Sequence, residues 1–363
     1  MPTPHSLGFS FPPEWHPQSA TWFSWPRPEG ISFPERYHTI PANIAAIIRQ
    51  ITPRQLVRIN VPNENYRRIV SEQLIAGGVP KAHVKNRVKF HLIKTNEAWC
   101  RDHGPAFVLR RGKRAGKATT QAAIVDWGFN AWGGKYPPWD DDDRVPTLAA
   151  KDLGIKRVFY PTFKGQPIVM EGGAVEFNGD GCVLTTEACL LHKNRNPHMT
   201  RGDIERALCD WYGQEKVLWL HDGIAGDDTD GHIDDLARFL NPTTIAIALE
   251  ADSRDANYKV LKDNARRTTF LRDIHGQPFN IVTLPMPKAV VHDGQRLPAT
   301  YLNFLFINGA LLVPTFRDKK NDRLALSVLQ AVLPEHEVIG VDCVELVWGL
   351  GTIHCLTQQV PKW

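Results

Sequence analysis

Leu56-Val57-Arg58-Ile59-Asn60-Val61 puts Val57, Ile59 and Val61 on one side of an extended chain and Arg58 and Asn60 on the other, the pattern of a strand with one buried face. A helix-like stretch from Asn63 to Ala76 follows, and then Val88-Lys89-Phe90-His91-Leu92-Ile93, a second alternating strand. Strand, helix, strand predicts an α/β fold. Upstream, Pro41 to Gln50 carries Ile44, Ile47 and Ile48 at helical spacing. Downstream, short strands are expected at 106–109, 122–127, 174–178, 182–185, 217–220, 244–248 and 311–314, with helices at 200–211, 255–272 and 323–333. These units recur every sixty to seventy residues or so without a residue-level repeat, which leaves room for a structural pseudo-repeat. No Gly/Ser-rich linker or composition shift divides the chain, so residues 1–363 read as a single domain. The Pro- and Trp-rich first forty residues read as an irregular segment anchored by aromatic side chains.

Composition narrows the function classes. With 42% hydrophobic and 23% charged residues the chain can bury a large core. Its 43 Lys and Arg against 39 Asp and Glu form no basic stripe, so nucleic-acid binding has little support. Asp140 to Asp143 lack the alternating ligands of a calcium loop and read as a solvated turn. There is no long apolar run and no basic segment leading into one near Met1, so neither a membrane partner nor secretion is expected. Cys100, Cys182, Cys189, Cys209, Cys343 and Cys355 have neither C-x-x-C spacing nor the density of a disulfide scaffold, which suits a reducing cytoplasm.

Four polar clusters lie where strands should end, the usual place for functional loops on an α/β scaffold. Trp99-Cys100-Arg101-Asp102-His103-Gly104-Pro105 follows the strand ending at Ile93, and on its own reads equally well as a salt-bridged turn. In Glu171-Gly172-Gly173 paired glycines let a backbone approach whatever the acid binds. Gly226 to Asp235 surrounds His232 with five carboxylates, a costly arrangement unless a divalent metal or a guanidinium neutralises them. The last cluster, Trp348 to Gln359, holds Cys355 beside His354 and two glycines. A lone cysteine is usually a small buried hydrophobe, but this setting favours a nucleophile. A thiol, an imidazole and several acids, with no phosphate loop and no zinc spacing, point to covalent catalysis on a carbon bound to nitrogen in a cationic substrate.

These clusters, with Phe129-Asn130-Ala131-Trp132-Gly133-Gly134-Lys135, Leu184-Thr185-Thr186-Glu187 and Asn194-Arg195-Asn196-Pro197, resemble the agmatine deiminase family, which includes bacterial-type peptidylarginine deiminases. The resemblance covers nearly the whole chain. It implies the pentein fold, a five-bladed pseudo-symmetric α/β propeller with the active site at its centre. By position in the shared motifs, Cys355 is implied as nucleophile and His232 as general acid and base. Asp102 and Asp234 are implied as guanidinium clamps, and Glu171 as the acid that contacts substrate and orients His232. Gly349-Leu350-Gly351-Thr352 and His103 depart from the more common pattern and bear on the substrate's tail.

What the resemblance implies is hydrolysis of agmatine to N-carbamoylputrescine and ammonia, in polyamine metabolism, with no cofactor and no metal. The partner is then a small guanidine compound, and a homodimer or higher homo-oligomer is left open. Trp99 is placed as a pocket wall along the alkyl chain, and Asp227 or Asp228 against a distal amine. Peptidylarginine and free arginine are the nearest alternatives. An amidinotransferase, a cation-binding module and a metallohydrolase are further ones.

Overall fold

The computed structural model describes residues 2–114 and 117–363. One topology occurs five times: two antiparallel neighbours, a crossover helix, and a third strand parallel to the second. The second unit uses Ala106–Arg114, Lys117–Val125, the helix Val145–Leu153 and Val158–Phe159. The third uses Glu176–Phe177, Cys182–Thr186, the helix Arg201–Tyr212 and Lys216–Leu220. Ala237–Asn241, Thr244–Leu249, the helix Tyr258–Thr268 and Asn280–Pro285 make the fourth. Leu305–Ile307, Ala310–Thr315, the helix Lys319–Val332 and Glu337–Asp342 make the fifth. The first unit closes the series, because Thr357–Pro361 pairs antiparallel with Gln18–Ser24. The helix Ile40–Ile51 and the parallel strand Leu56–Val61 complete it, with Val88–Leu92 added at its edge. This is the pentein α/β propeller, and the expected pseudo-repeat is real.

The local reasons are ordinary ones. In Ile40–Ile51, the residues Ile40, Ile44, Ile47, Ile48 and Ile51 fall on one stripe and all are buried, while Pro41 occupies the first turn, where its missing N–H costs nothing. Asn63 caps the next helix by accepting from the Tyr66 amide. Thr200 and Asp203 form a reciprocal capping box on Arg201–Tyr212. No helix among the described residues is long and apolar enough to cross a membrane.

Two expectations are corrected. Gln18–Ser24 is a strand, not part of an irregular segment. It is buried on both faces, so its side chains do not alternate in polarity. Its polar members are matched internally: Trp22 donates to Asn60 at 2.8 Å, and Gln55 donates to Gln18 and Thr21 at 2.7 and 2.8 Å. Asp140 to Asp143 form a short helical turn rather than a solvated one. Asp142 is buried and accepts from the Asn96 amide at 2.7 Å, and Asp143 accepts from the Phe129 amide at 2.7 Å. The aspartates thereby anchor the loop that leads to Trp99 and Asp102.

The five segments that pass from the last strand of one unit to the first of the next are 93–105, 160–175, 221–236, 286–304 and 343–356. Each ends on a polar side chain shortly before a strand begins. Asp102 precedes Ala106, Glu171 precedes Glu176, and His232 and Asp234 precede Ala237. Asn303 and Cys355 come just before the strands beginning at Leu305 and Thr357. The repeat thus brings side chains far apart in sequence to one place.

Candidate active site

Cys355 and Asp102 line a cavity of about 360 Å³ that opens to the surface. Trp99, Trp132, Tyr136 and Trp348 supply aromatic walls, and Asp228, Asp293 and Glu97 supply acids. Trp99 is held by its indole N–H, which donates to Ser32 at 2.8 Å. The ring lies so close to the 349–351 segment that a Cβ on Gly351 would sit 2.6 Å from it and 3.0 Å from the Cys355 Cβ. Glycine there is a packing requirement.

Cys355 is almost fully buried. Its sulfur accepts from the Asn303 side-chain amide at 3.0 Å and lies 3.8 Å from an Asp234 carboxylate oxygen. Burial raises its pKa well above the usual thiol value, and Asp234, Asp235 and Asp102 add to the effect. Both influences favour the neutral thiol.

Asp102 accepts from the Trp132 indole and from the Gly173 amide, each at 2.9 Å. Burial raises its pKa, and the stabilisation from His232 and the Trp132 indole, opposed by repulsion from Asp234 and Glu171, does not offset it. Asp234 is buried too, but it accepts from His354 at 2.6 Å and from Asn303 at 3.2 Å. Burial alone would raise its pKa; His354, by hydrogen bond and charge, holds it below the ordinary value. The other His354 nitrogen lies 2.8 Å from Glu14, which is in turn bridged to Arg238.

His232 stands between these carboxylates. Its Nδ1 is 3.7 Å from Asp102 and 3.9 Å from Asp234, and its Nε2 is 3.8 Å from Glu171. Burial disfavours its charge, but Asp102, Cys189 and Glu171 together raise its pKa well above the usual histidine value. Gly173 backs this group, since a Cβ there would lie 2.6 Å from His232 Nδ1 and 2.9 Å from Asp102. The expectation that paired glycines let a backbone come close holds at Gly173. Glu171 is tied by one oxygen to Arg195 at 2.9 Å, and its other oxygen, facing His232, is buried with no hydrogen-bond partner. Burial would raise the Glu171 pKa, and Arg195 holds it down.

All seven residues singled out in the sequence thus lie in or around one site. Cys355, Asp102, Trp99 and Asp228 line the cavity, and His232, Asp234 and Glu171 pack behind it. Asp228 is already engaged by Lys135 and the Tyr136 hydroxyl. Asp227 accepts from the amides of Thr229, Gly231 and His232, which shapes the loop that carries His232.

Sequence reasoning missed three participants. Arg195 supplies the internal cation that the acidic cluster needed, reaching Glu171, Asp230 and the Thr229 carbonyl. It lay inside a quoted motif, but nothing in the spacing tied it to residues 24 and 35 positions away. His354 was noted only as a neighbour of Cys355, and Asn303 not at all. Asn303 sits in Thr300-Tyr301-Leu302-Asn303-Phe304, where a single amide among apolar residues before a strand was the available signal.

The family model for Porphyromonas-type peptidyl-arginine deiminase matches residues 10–361. The chain is 36% identical to the agmatine deiminase of Pseudomonas syringae pv. tomato, covering 99% of this chain and 97% of that protein. The solved agmatine deiminase of Enterococcus faecalis, captured catalysing its reaction, is 33% identical with a TM-score of 0.88, covering 100% of this chain and 98% of that one. A substrate-bound variant of agmatine deiminase from C. jejuni is 30% identical with a TM-score of 0.84, covering 98% of this chain and 96% of that one. A family match over nearly the full length, on a shared fold, makes this chain a member of the Porphyromonas-type peptidyl-arginine deiminase family.

Proposed function

We propose that the protein is an agmatine deiminase, a hydrolase that converts the guanidinium of agmatine to a ureido group with release of ammonia. The observation that carries the reading is a buried thiol at the base of an aromatic-walled cavity, with Asp102, Asp234 and His232 gathered around it. A guanidinium is planar, always charged and presents paired N–H donors, so two carboxylates grip its edges through charge-assisted hydrogen bonds. Asp102 and Asp234 take that role.

The docked cation offsets the carboxylates that keep Cys355 protonated, and the thiol proton leaves to solvent. The sulfur then forms a bond to the guanidinium carbon. His232, held in its protonated form by its neighbours, gives a proton to one nitrogen, the C–N bond breaks and ammonia departs. The neutral ring next takes a proton from water, the hydroxide attacks the thiouronium carbon, and the C–S bond breaks to return the Cys355 thiolate while the added hydroxyl gives up its proton to solvent, leaving the neutral ureido product. Glu171 orients the imidazole from the side facing away from the cavity, and Arg195 keeps Glu171 ionised.

Trp99 and Trp132 suit a methylene chain, and Asp228 at the rim suits a distal ammonium. We place the enzyme in a reducing cytoplasm, where six free cysteines stay reduced, and assign the chain to one domain. Purified protein given agmatine, free arginine and a peptidylarginine should release ammonia and ureido product fastest from agmatine. Faster turnover of either arginine compound would remove this substrate assignment, and chelator sensitivity would point to a metallohydrolase.

A further inference from the structure

Four of the five junctions between units bring a side chain that the proposed chemistry uses: Asp102, Glu171, the pair His232 and Asp234, and Cys355. The fourth junction brings Asn303. This side chain is buried, and all of its hydrogen-bonding capacity is turned on the site. Its Oδ1 accepts from the Thr352 hydroxyl at 2.8 Å and from the backbone amides of His354 and Cys355 at 3.0 and 3.3 Å. Its Nδ2 faces the Cys355 sulfur at 3.0 Å, Asp235 at 3.0 Å and Asp234 at 3.2 Å.

The chemistry of these partners fixes which way the amide points. Backbone N–H groups only donate, so the oxygen must face them, which leaves the NH₂ facing the sulfur and the carboxylates. The result is a neutral donor aimed at the one atom that must become an anion. Among the described residues no other side-chain nitrogen donates to that sulfur.

We propose that Asn303 is a catalytic residue of this enzyme, whose side-chain N–H donates to Cys355 and stabilises its thiolate. The inference rests on Cys355 being the nucleophile. A neutral amide suits the position better than a Lys or Arg: it stabilises the sulfur anion without competing with the substrate cation for Asp102 and Asp234. Thr352 and the two backbone amides act as positioning groups that keep the amide turned toward the sulfur.

A purely structural Asn303, one that only tethers residues 352–355, makes the opposite prediction. Cys355 is hard to ionise because it is buried among acids, so loosening the tether would wet the thiol and ease its ionisation. The test is the pH dependence of Cys355 alkylation by iodoacetamide, followed on the Cys355 peptide by mass spectrometry, in wild type, Asn303→Leu and Asn303→Ala. The alkylation midpoint should rise by about one to two pH units in both variants, on the scale of a hydrogen bond to a charged atom. The kcat for agmatine should fall roughly 10- to 100-fold while KM stays within about threefold. A midpoint that is unchanged or lower overturns the proposal. Should neither variant fold, Thr352→Val removes one positioning group and leaves Asn303 in place; it should raise the midpoint by a smaller amount, and no rise would again overturn the proposal. Alkylation needs no turnover, so a wrong substrate assignment would leave this measurement readable.

Discussion

Asp102 and Asp234 stand at nearly the same distance from His232 Nδ1, 3.7 and 3.9 Å, yet their surroundings differ in kind. Asp102 is held by neutral donors, an indole and a backbone amide. Asp234 is held by His354, which leads back through Glu14 to Arg238. One carboxylate is pushed toward its neutral form and the other is kept ionised by a partner already present. A site built for a cation can thus divide its labour. Under the proposed mechanism, one acid is settled when the chain folds, and the other waits for the substrate to bring the missing charge.

This contrast can be broken in stages. Cys355→Ala should lower the agmatine rate by at least about 1,000-fold, with calorimetric affinity little changed, because both carboxylates remain. Lost affinity would mean that the sulfur, and not the acid pair, holds the cation. Asp102→Asn and Asp234→Asn should each cut kcat/KM by about 100-fold, but only the second should unsettle the fold. Removing the Asp234 charge leaves His354 and its buried network short of an anion, at about 3 kcal/mol. Equal denaturant midpoints for the two variants would contradict the division.

The uncharged character of the Asp102 side has a further expression in its neighbour His103. Burial pushes this histidine down to about 3 from 6.5, and it lies 2.9 Å from the Ser24 hydroxyl. Above pH 6.5 both folded and unfolded forms are neutral there. As pH falls below that, the unfolded chain takes the proton first, so stability is lost progressively down to about 3. At about pH 5 the loss is roughly 2 kcal/mol, and His103→Asn should flatten that slope in melting experiments. The smallest effect is expected at the rim. Asp228→Asn should raise KM for agmatine about threefold with kcat unchanged, because its side chain is 41% exposed and shared with Lys135. An unchanged KM would place the distal amine elsewhere.

Alternation of side chains in 56–61 and 88–93 announced strands, and the structure has them at Leu56–Val61 and Val88–Leu92, but their burial does not follow the alternation: Asn60 and His91 are buried and Leu92 is exposed. The stripe of Ile44, Ile47 and Ile48 announced its helix. Gln18–Ser24 escaped because a strand covered on both faces shows no period. Glu337–Asp342 and Asn280–Pro285 were also missed; each finds its place only by pairing with a strand before its crossover helix, a long-range fact absent from any local window. At the site, acids and glycines in short runs were legible. Arg195, His354 and Asn303 were not, since each acts through partners brought near by the fold.

The pairing of Thr357–Pro361 with Gln18–Ser24 joins the two ends of the repeating series, and Cys355 lies just before that seam. Peeling the seam open would carry the Cys355 sulfur away from its acids in the same motion. On the proposed mechanism a molecule whose series is unjoined is silent toward substrate, so ammonia release should return during refolding only after this pairing has formed.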